Sequence, residues 1–224
     1  MYSWSFLFRN LTSCQTIVGQ QLRSVFVFLI LYLLILLPMV KATPMATTLV
    51  LTQLLILQGI CLITVVMQVA PSCSSDVHDG FLEKWLANQG LGFSYYLVRQ
   101  FLILIEIILP AVVLIYLMMP VLSFSGTVVF LGISLTNAMI AALWSGSMAL
   151  LLAGSHDISQ TLVGMIMAIL LLIPQILIGE VILGGVTTNT IASSHLWLYA
   201  GVSIVSVALN LGLVPTIVRL SLSS

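Results

Sequence analysis

Charge is what this chain lacks. Only 5% of its 224 residues are Asp, Glu, Lys or Arg, and six acids balance six bases. An ordinary soluble domain carries about 25% charged residues. Hydrophobic residues make up 61% of the chain. A water-soluble fold of this size has too little polar surface to cover so much apolar side chain, so lipid is the expected solvent. The even charge balance gives no basis for a nucleic-acid partner. Cysteine is sparse: Cys14, Cys61 and Cys73 have no C-x-x-C spacing, which excludes the usual zinc or disulfide framework. No G-x-x-x-x-G-K-[ST] occurs, so the chain has no P-loop of its own. No two of the three histidines, His78, His156 and His195, share a face of one helix, so no axial haem pair is expected. No cofactor and no metal ion are expected.

Long apolar runs fill the remainder. A hydrocarbon core about 30 Å thick takes roughly 20 apolar residues as helix. Six runs meet that length or come near it, at about 22–40, 48–70, 100–119, 127–153, 160–183 and 196–218. They are too long and too uniformly apolar for barrel strands. The expected fold is therefore all-α, one transmembrane domain over residues 1–224 with six spans. Basic residues preceding the first run imitate a signal peptide, but the run ends at Lys41 with no A-x-A site, so it reads as an uncleaved span. Arg9, Arg23, Lys84, Arg99 and Arg219 fall on one face and only Lys41 on the other. That asymmetry makes both termini and the Pro71–Val98 segment cytoplasmic. The N-L-T sequon at Asn10 then lies inside and carries no glycan. Trp4, Leu7, Phe8 and Leu11 recur at helical spacing, as an interfacial helix before the first span would require.

The Pro71–Val98 segment concentrates the chemistry. It reads S-S-D-V-H-D-G-F-L-E-K-W-L from Ser74. Ser74, Ser75 and Asp76 are N-cap types, Asp79 and Glu83 stand one turn apart, and Phe81, Leu82 and Trp85 form an apolar stripe. The pattern predicts an amphipathic helix over 74–90 on the inner face, suited to a partner's groove. Within the spans, Glu106 and Glu180 are costly ionisable residues, and Arg99 lies two turns before Glu106, placed to neutralise it. Ser134, Ala138, Ala142 and Gly146 make a ladder of small residues for close helix packing. Pro110 and Pro174 are expected to kink their spans. Gly132-Ile133-Ser134 with His195 admits an intramembrane serine protease as an alternative, although Leu135 stands where a second glycine belongs.

The stretch Asp76-Val-His-Asp79-Gly80-Phe-Leu82-Glu83 resembles the D-x-x-D-G-x-L-E signature of the CcmB family, membrane subunits of the cytochrome c maturation ABC transporter. The resemblance extends to Arg99, to Leu109-Pro110 and to Pro174-Gln-Ile-Leu-Ile-Gly179, covering roughly residues 70–185. It implies an ABC-2 type permease that hydrolyses no ATP itself. Such a subunit pairs with a CcmA-like ATPase, works with a CcmC-like membrane protein and, indirectly, with the haem chaperone CcmE. It implies ATPase-coupling roles for Asp76, Asp79, Gly80, Leu82, Glu83 and Trp85, with Gly80 making a tight entry turn. The implied location is a bacterial inner membrane, or alternatively the mitochondrial one. The same layout also suits an ABC-2 exporter of lipid or polysaccharide. The chain departs from the family at Asn88-Gln-Gly-Leu-Gly92, Ser155-His156-Asp157 and Leu170, where prolines or basic residues are usual.

Overall fold

The computed structural model describes residues 47–78, 80–89, 92–108, 113, 116, 126–152, 158–187 and 193–223. The expected interfacial helix and the span at 22–40 lie outside the described residues, as do Asp79, Pro110 and the 153–157 connection. The described chain is helical throughout: α1 (Thr47–His78), α2 (Phe81–Gln89), α3 (Gly92–Ile103) with a π-helical turn Leu104–Ile108, α4 (Thr127–Leu152), α5 (Ile158–Thr187) and α6 (Ser193–Ser223). A helix satisfies its own backbone hydrogen bonds, which is what an apolar solvent demands.

Three stretches are long and apolar enough to cross a membrane: Thr127–Leu152, Ile166–Val186 and Ser193–Val218. Leu55–Ala70 is a shorter apolar helix within α1. The flanks of α5 and α6 expose Ile166, Leu170, Ile173, Leu177, Trp197, Ile204 and Leu209. An uninterrupted apolar surface of that extent associates or aggregates in water and is natural in lipid. The helices thus suit a membrane protein. Pro174 and Pro215 sit inside α5 and α6, which continue through them. A mid-helix proline frees a carbonyl, a defect tolerated where neighbouring groups can satisfy it.

α4 is the hub. Half of its apolar window is buried, against 33% for α5 and 28% for α6. Hydrogen bonds fix the directions of its neighbours. Tyr199 meets Ile133 and Asn137, Ser206 meets Trp144, and Asn210 meets Leu143 and Ser147. Both sets of numbers rise together, so α4 and α6 run parallel. Gln175 meets Ser203, and Gly179 lies against Tyr199. There one number rises as the other falls, so α5 is antiparallel to both.

One expectation about the acidic segment needs correction. The helix predicted over 74–90 is not one helix. Ser74, Ser75 and Asp76 belong to the last turns of α1 rather than to an N-cap. Tertiary packing overrides their capping preference: Cys73 is buried against Gly146, and Asp76 is tied to α3. The break comes at Gly80, and α2 begins only at Phe81. Arg99 also engages Asp76, a partner that the spacing to Glu106 did not suggest. The seven-residue spacing keeps two side chains on one face only in a regular α-helix. The π-helical turn Leu104–Ile108 contains Glu106 and rotates that register. Glu106's own side chain lies outside the described residues.

Candidate functional site: the elbow between α1 and α3

Gly80 makes the corner. Its φ is +64°, the left-handed region open to glycine at little cost. Its N–H donates to the Val77 carbonyl at 3.0 Å, and its own carbonyl accepts from Lys84 N–H at 3.2 Å. The chain therefore leaves α1 and enters α2 with both backbone groups of the glycine bonded. A Cβ at this position would meet only Glu83 Oε2, at 4.0 Å, so the requirement for glycine is conformational, not spatial.

Behind the corner, α1 and α3 are pinned. Arg99 Nε lies 3.1 Å from Asp76 Oδ2, with only 14% and 18% of the two side chains exposed. The Tyr95 hydroxyl donates to the same Oδ2 at 2.6 Å. A carboxylate shared by a guanidinium and a phenol is a charge-assisted arrangement, stronger than a neutral hydrogen bond. Burial foremost, then the neighbouring Cys73 and the Asp76 carboxylate, holds the Tyr95 phenol well above its ordinary pKa, so it stays a donor. Burial likewise pushes the Cys73 thiol up to about 11, with Arg99 pulling the other way. A protonated buried thiol is a packing group, not a nucleophile.

The apolar stripe of α2 faces this corner. Leu82 is wholly buried. The rings of Phe81 and Trp85 lie 6.2 and 6.4 Å from that of Tyr95, and 6.3 Å from each other. These distances are those of ordinary tilted aromatic packing. The expectation that Leu82 fills a partner's groove is therefore corrected, because its side chain is buried within this chain, while Trp85 is half-buried against Phe81 and Tyr95. What α2 turns outward is Glu83, Lys84 and Ala87.

Above the elbow sits a buried polar cluster. The Tyr96 hydroxyl lies 2.7 Å from the Leu143 carbonyl, 2.8 Å from Asn210 Oδ1 and 2.9 Å from Ser147 Oγ. Asn210 Nδ2 donates to Ser147 Oγ at 2.9 Å and to the Leu143 carbonyl at 3.2 Å. Three helices are thus tied by one set of buried bonds, worth more together than singly in a low-dielectric interior. The small-residue ladder runs down the buried side of α4: Ser134, Ala138, Ala142 and Gly146 are all buried. At Gly146 a Cβ would stand 2.9 Å from Gln100 Nε2 and 3.3 Å from Cys73 Sγ, so α1 and α3 approach α4 more closely than a larger residue allows.

The remaining sequence candidates are not brought together. Glu180 is half-buried in the last third of α5. Ser134 Oγ is buried without a hydrogen-bond partner, so it is not paired with His195, and the serine–histidine contact a protease requires is not made. Among the described residues no three His, Cys, Asp or Glu side chains are grouped to hold a metal ion. An open apolar groove of about 450 Å³, lined among others by Trp144, Leu171, Trp197 and Val205, carries no acid, base or nucleophile beyond the Ser206 hydroxyl.

Sequence reading missed Tyr95, Tyr96, Gln58, Asn137 and Asn210. It weighed only ionisable groups inside the apolar runs. The available signal was broader: an amide within an apolar span is itself costly and finds a polar neighbour. No known family, curated protein or solved structure matches the chain.

Proposed function

We propose that this chain is the membrane-embedded, non-catalytic subunit of an ABC transporter complex, coupling a separate ATPase to a change at the far side of the membrane. The observation that carries the reading is the elbow. A short helix projects from the junction of two long ones, its apolar side locked inward by Leu82, Phe81 and Trp85, its polar side free. A load on Glu83 and Lys84 passes into α1 and α3 together, because Asp76–Arg99 and Tyr95 join those helices behind the corner. The buried Tyr96–Asn210–Ser147 cluster then links the movement to α4 and α6.

The D-x-x-D-G-x-L-E resemblance supports a more specific form. The complex is that of cytochrome c maturation, with a CcmA-like ATPase, a CcmC-like membrane partner and release of a haem-loaded CcmE-like chaperone. Six spans, with both termini and the elbow on the cytoplasmic side of a bacterial inner membrane, complete this reading.

The contact surface differs from the one the sequence suggested. Leu82→Ala would empty the interior of this chain, at about 2–5 kcal/mol for a buried leucine, and cannot report on a partner. The informative variant is Glu83→Arg/Lys84→Glu on the outward side. Co-expressed with the cognate ATPase, wild type should co-purify with it. The variant should lose at least half of the bound ATPase while unfolding at the wild-type temperature. Equal recovery would return the elbow to a purely structural role.

A further inference from the structure

Toward the end of the bundle away from the elbow, the buried polar groups are not closed among themselves. Gln58 is 3% exposed, Ser134 1% and Asn137 0%. Both amide atoms of Gln58, the Ser134 hydroxyl and Asn137 Nδ2 have no hydrogen-bonding partner. Asn137 Oδ1 accepts from the Tyr199 hydroxyl at 2.7 Å. Its other amide atom lies 3.8 Å from the place a Cβ would take on Gly179, where α5 has no side chain. Turning the amide over exchanges the atoms but leaves one of them facing the same spot.

The three residues share one level. Ser134 and Asn137 are one turn apart on α4. The buried stripe of α1, Leu57–Cys73, and that of α4, Phe130–Leu150, pack extensively. Val69 and Cys73 meet α4 at Gly146, near the end of both stripes, so the stripes overlap along their length only if the helices run parallel. Counting from that contact at an equal rise per residue, Gln58 falls level with Ile133 and Ser134. Gly179 and Tyr199 are at that level too, through their contacts with Ile133 and Asn137.

We infer that Gln58, Ser134 and Asn137 line an internal site that binds water between α1, α4 and α5. A buried polar atom left unbonded costs about 1–3 kcal/mol, and such atoms in proteins are met by partners or by ordered water. The chemistry selects the ligand. Gln58 and Ser134 each offer a donor and an acceptor, and Asn137 offers a donor, so the occupant must both give and take hydrogen bonds. None of the three carries a charge, so the site suits a neutral molecule and not an ion. This inference stands apart from the proposed coupling role and survives its failure.

The test places a thiol in the site. In nanodiscs, on a chain with Cys14→Ser, Cys61→Ala and Cys73→Ala, the Ser134→Cys variant is reacted with methyl methanethiosulfonate. Reaction needs the thiolate, which forms only where water reaches the sulfur. Ser134→Cys should react roughly tenfold or more faster than Ala141→Cys, in the dry interior, and than Leu135→Cys, toward lipid. Adding Gln58→Leu should slow it. A rate equal to that of Ala141→Cys would overturn the inference. Should the cysteine variants fail to fold, X-ray radiolytic footprinting of the unmodified chain decides the matter. Radicals formed from site water should oxidise Tyr199, beside the site, more than Tyr96, whose hydroxyl is bonded to Ser147 and Asn210. Equal protection of the two tyrosines would contradict a water site.

Discussion

Asp76 illustrates how little a residue type says about its use. By composition it belongs to an acidic surface segment; in the fold it is the acceptor that joins Tyr95 and Arg99. Removing one member of a largely buried ion pair strands the other, a loss of about 3 kcal/mol or more. Asp76→Ala and Arg99→Ala should therefore each lower the unfolding midpoint in detergent, while the exchange Asp76→Arg/Arg99→Asp should recover part of the loss. Recovery separates the pair from mere deletion of side-chain volume. An exchange variant no better than the single mutants would show that the two residues act separately. The sequence pointed to Asp76 and Arg99 as chemically special but did not pair them with each other. Spacing along a helix sees only local partners, and the real partner lies across a turn.

At the scale of the element, the elbow depends on one backbone conformation. Gly80 is the only described glycine with positive φ, and no side chain crowds it. Gly80→Ala should thus destabilise the chain by about 1–2 kcal/mol through backbone strain alone, measured as a shift in thermal unfolding with helix content unchanged. A neutral result would mean that the corner relaxes to another turn and does not hold α2 rigidly. Long helices were legible beforehand: the run at 127–153 is α4 almost to the residue, because an apolar stretch of that length has no competing way to satisfy its backbone. Helix ends were less legible. α1 runs on to His78 past the serines because Cys73 and Asp76 have tertiary partners, and no local pattern encodes those. The amphipathic pattern of α2 was readable too, but not what its apolar side meets. The same stripe serves a partner's groove or this chain's own Tyr95, and only the fold decides.

For the molecule as a whole, the proposed role rests on the orientation expected from the distribution of basic residues. Reporter fusions at Lys41, Pro120 and Thr188 should report the outer side, and those at Asn88 and Ser224 the cytoplasm; Asn88 reporting outside would put the elbow beyond the reach of an ATPase. The two polar clusters then divide the bundle. One, toward the elbow, joins Tyr96, Ser147 and Asn210 by mutual hydrogen bonds, and the other, around Gln58 and Asn137, leaves most of its groups unbonded. The most direct test of the central claim is contact at the outward side of α2 in living cells. A photo-crosslinking amino acid at Glu83 should form an adduct with a nucleotide-binding ATPase, and the same group at Trp197, exposed at the opposite end, should not. No ATPase adduct from position 83, or equal adducts from both positions, would contradict the coupling role.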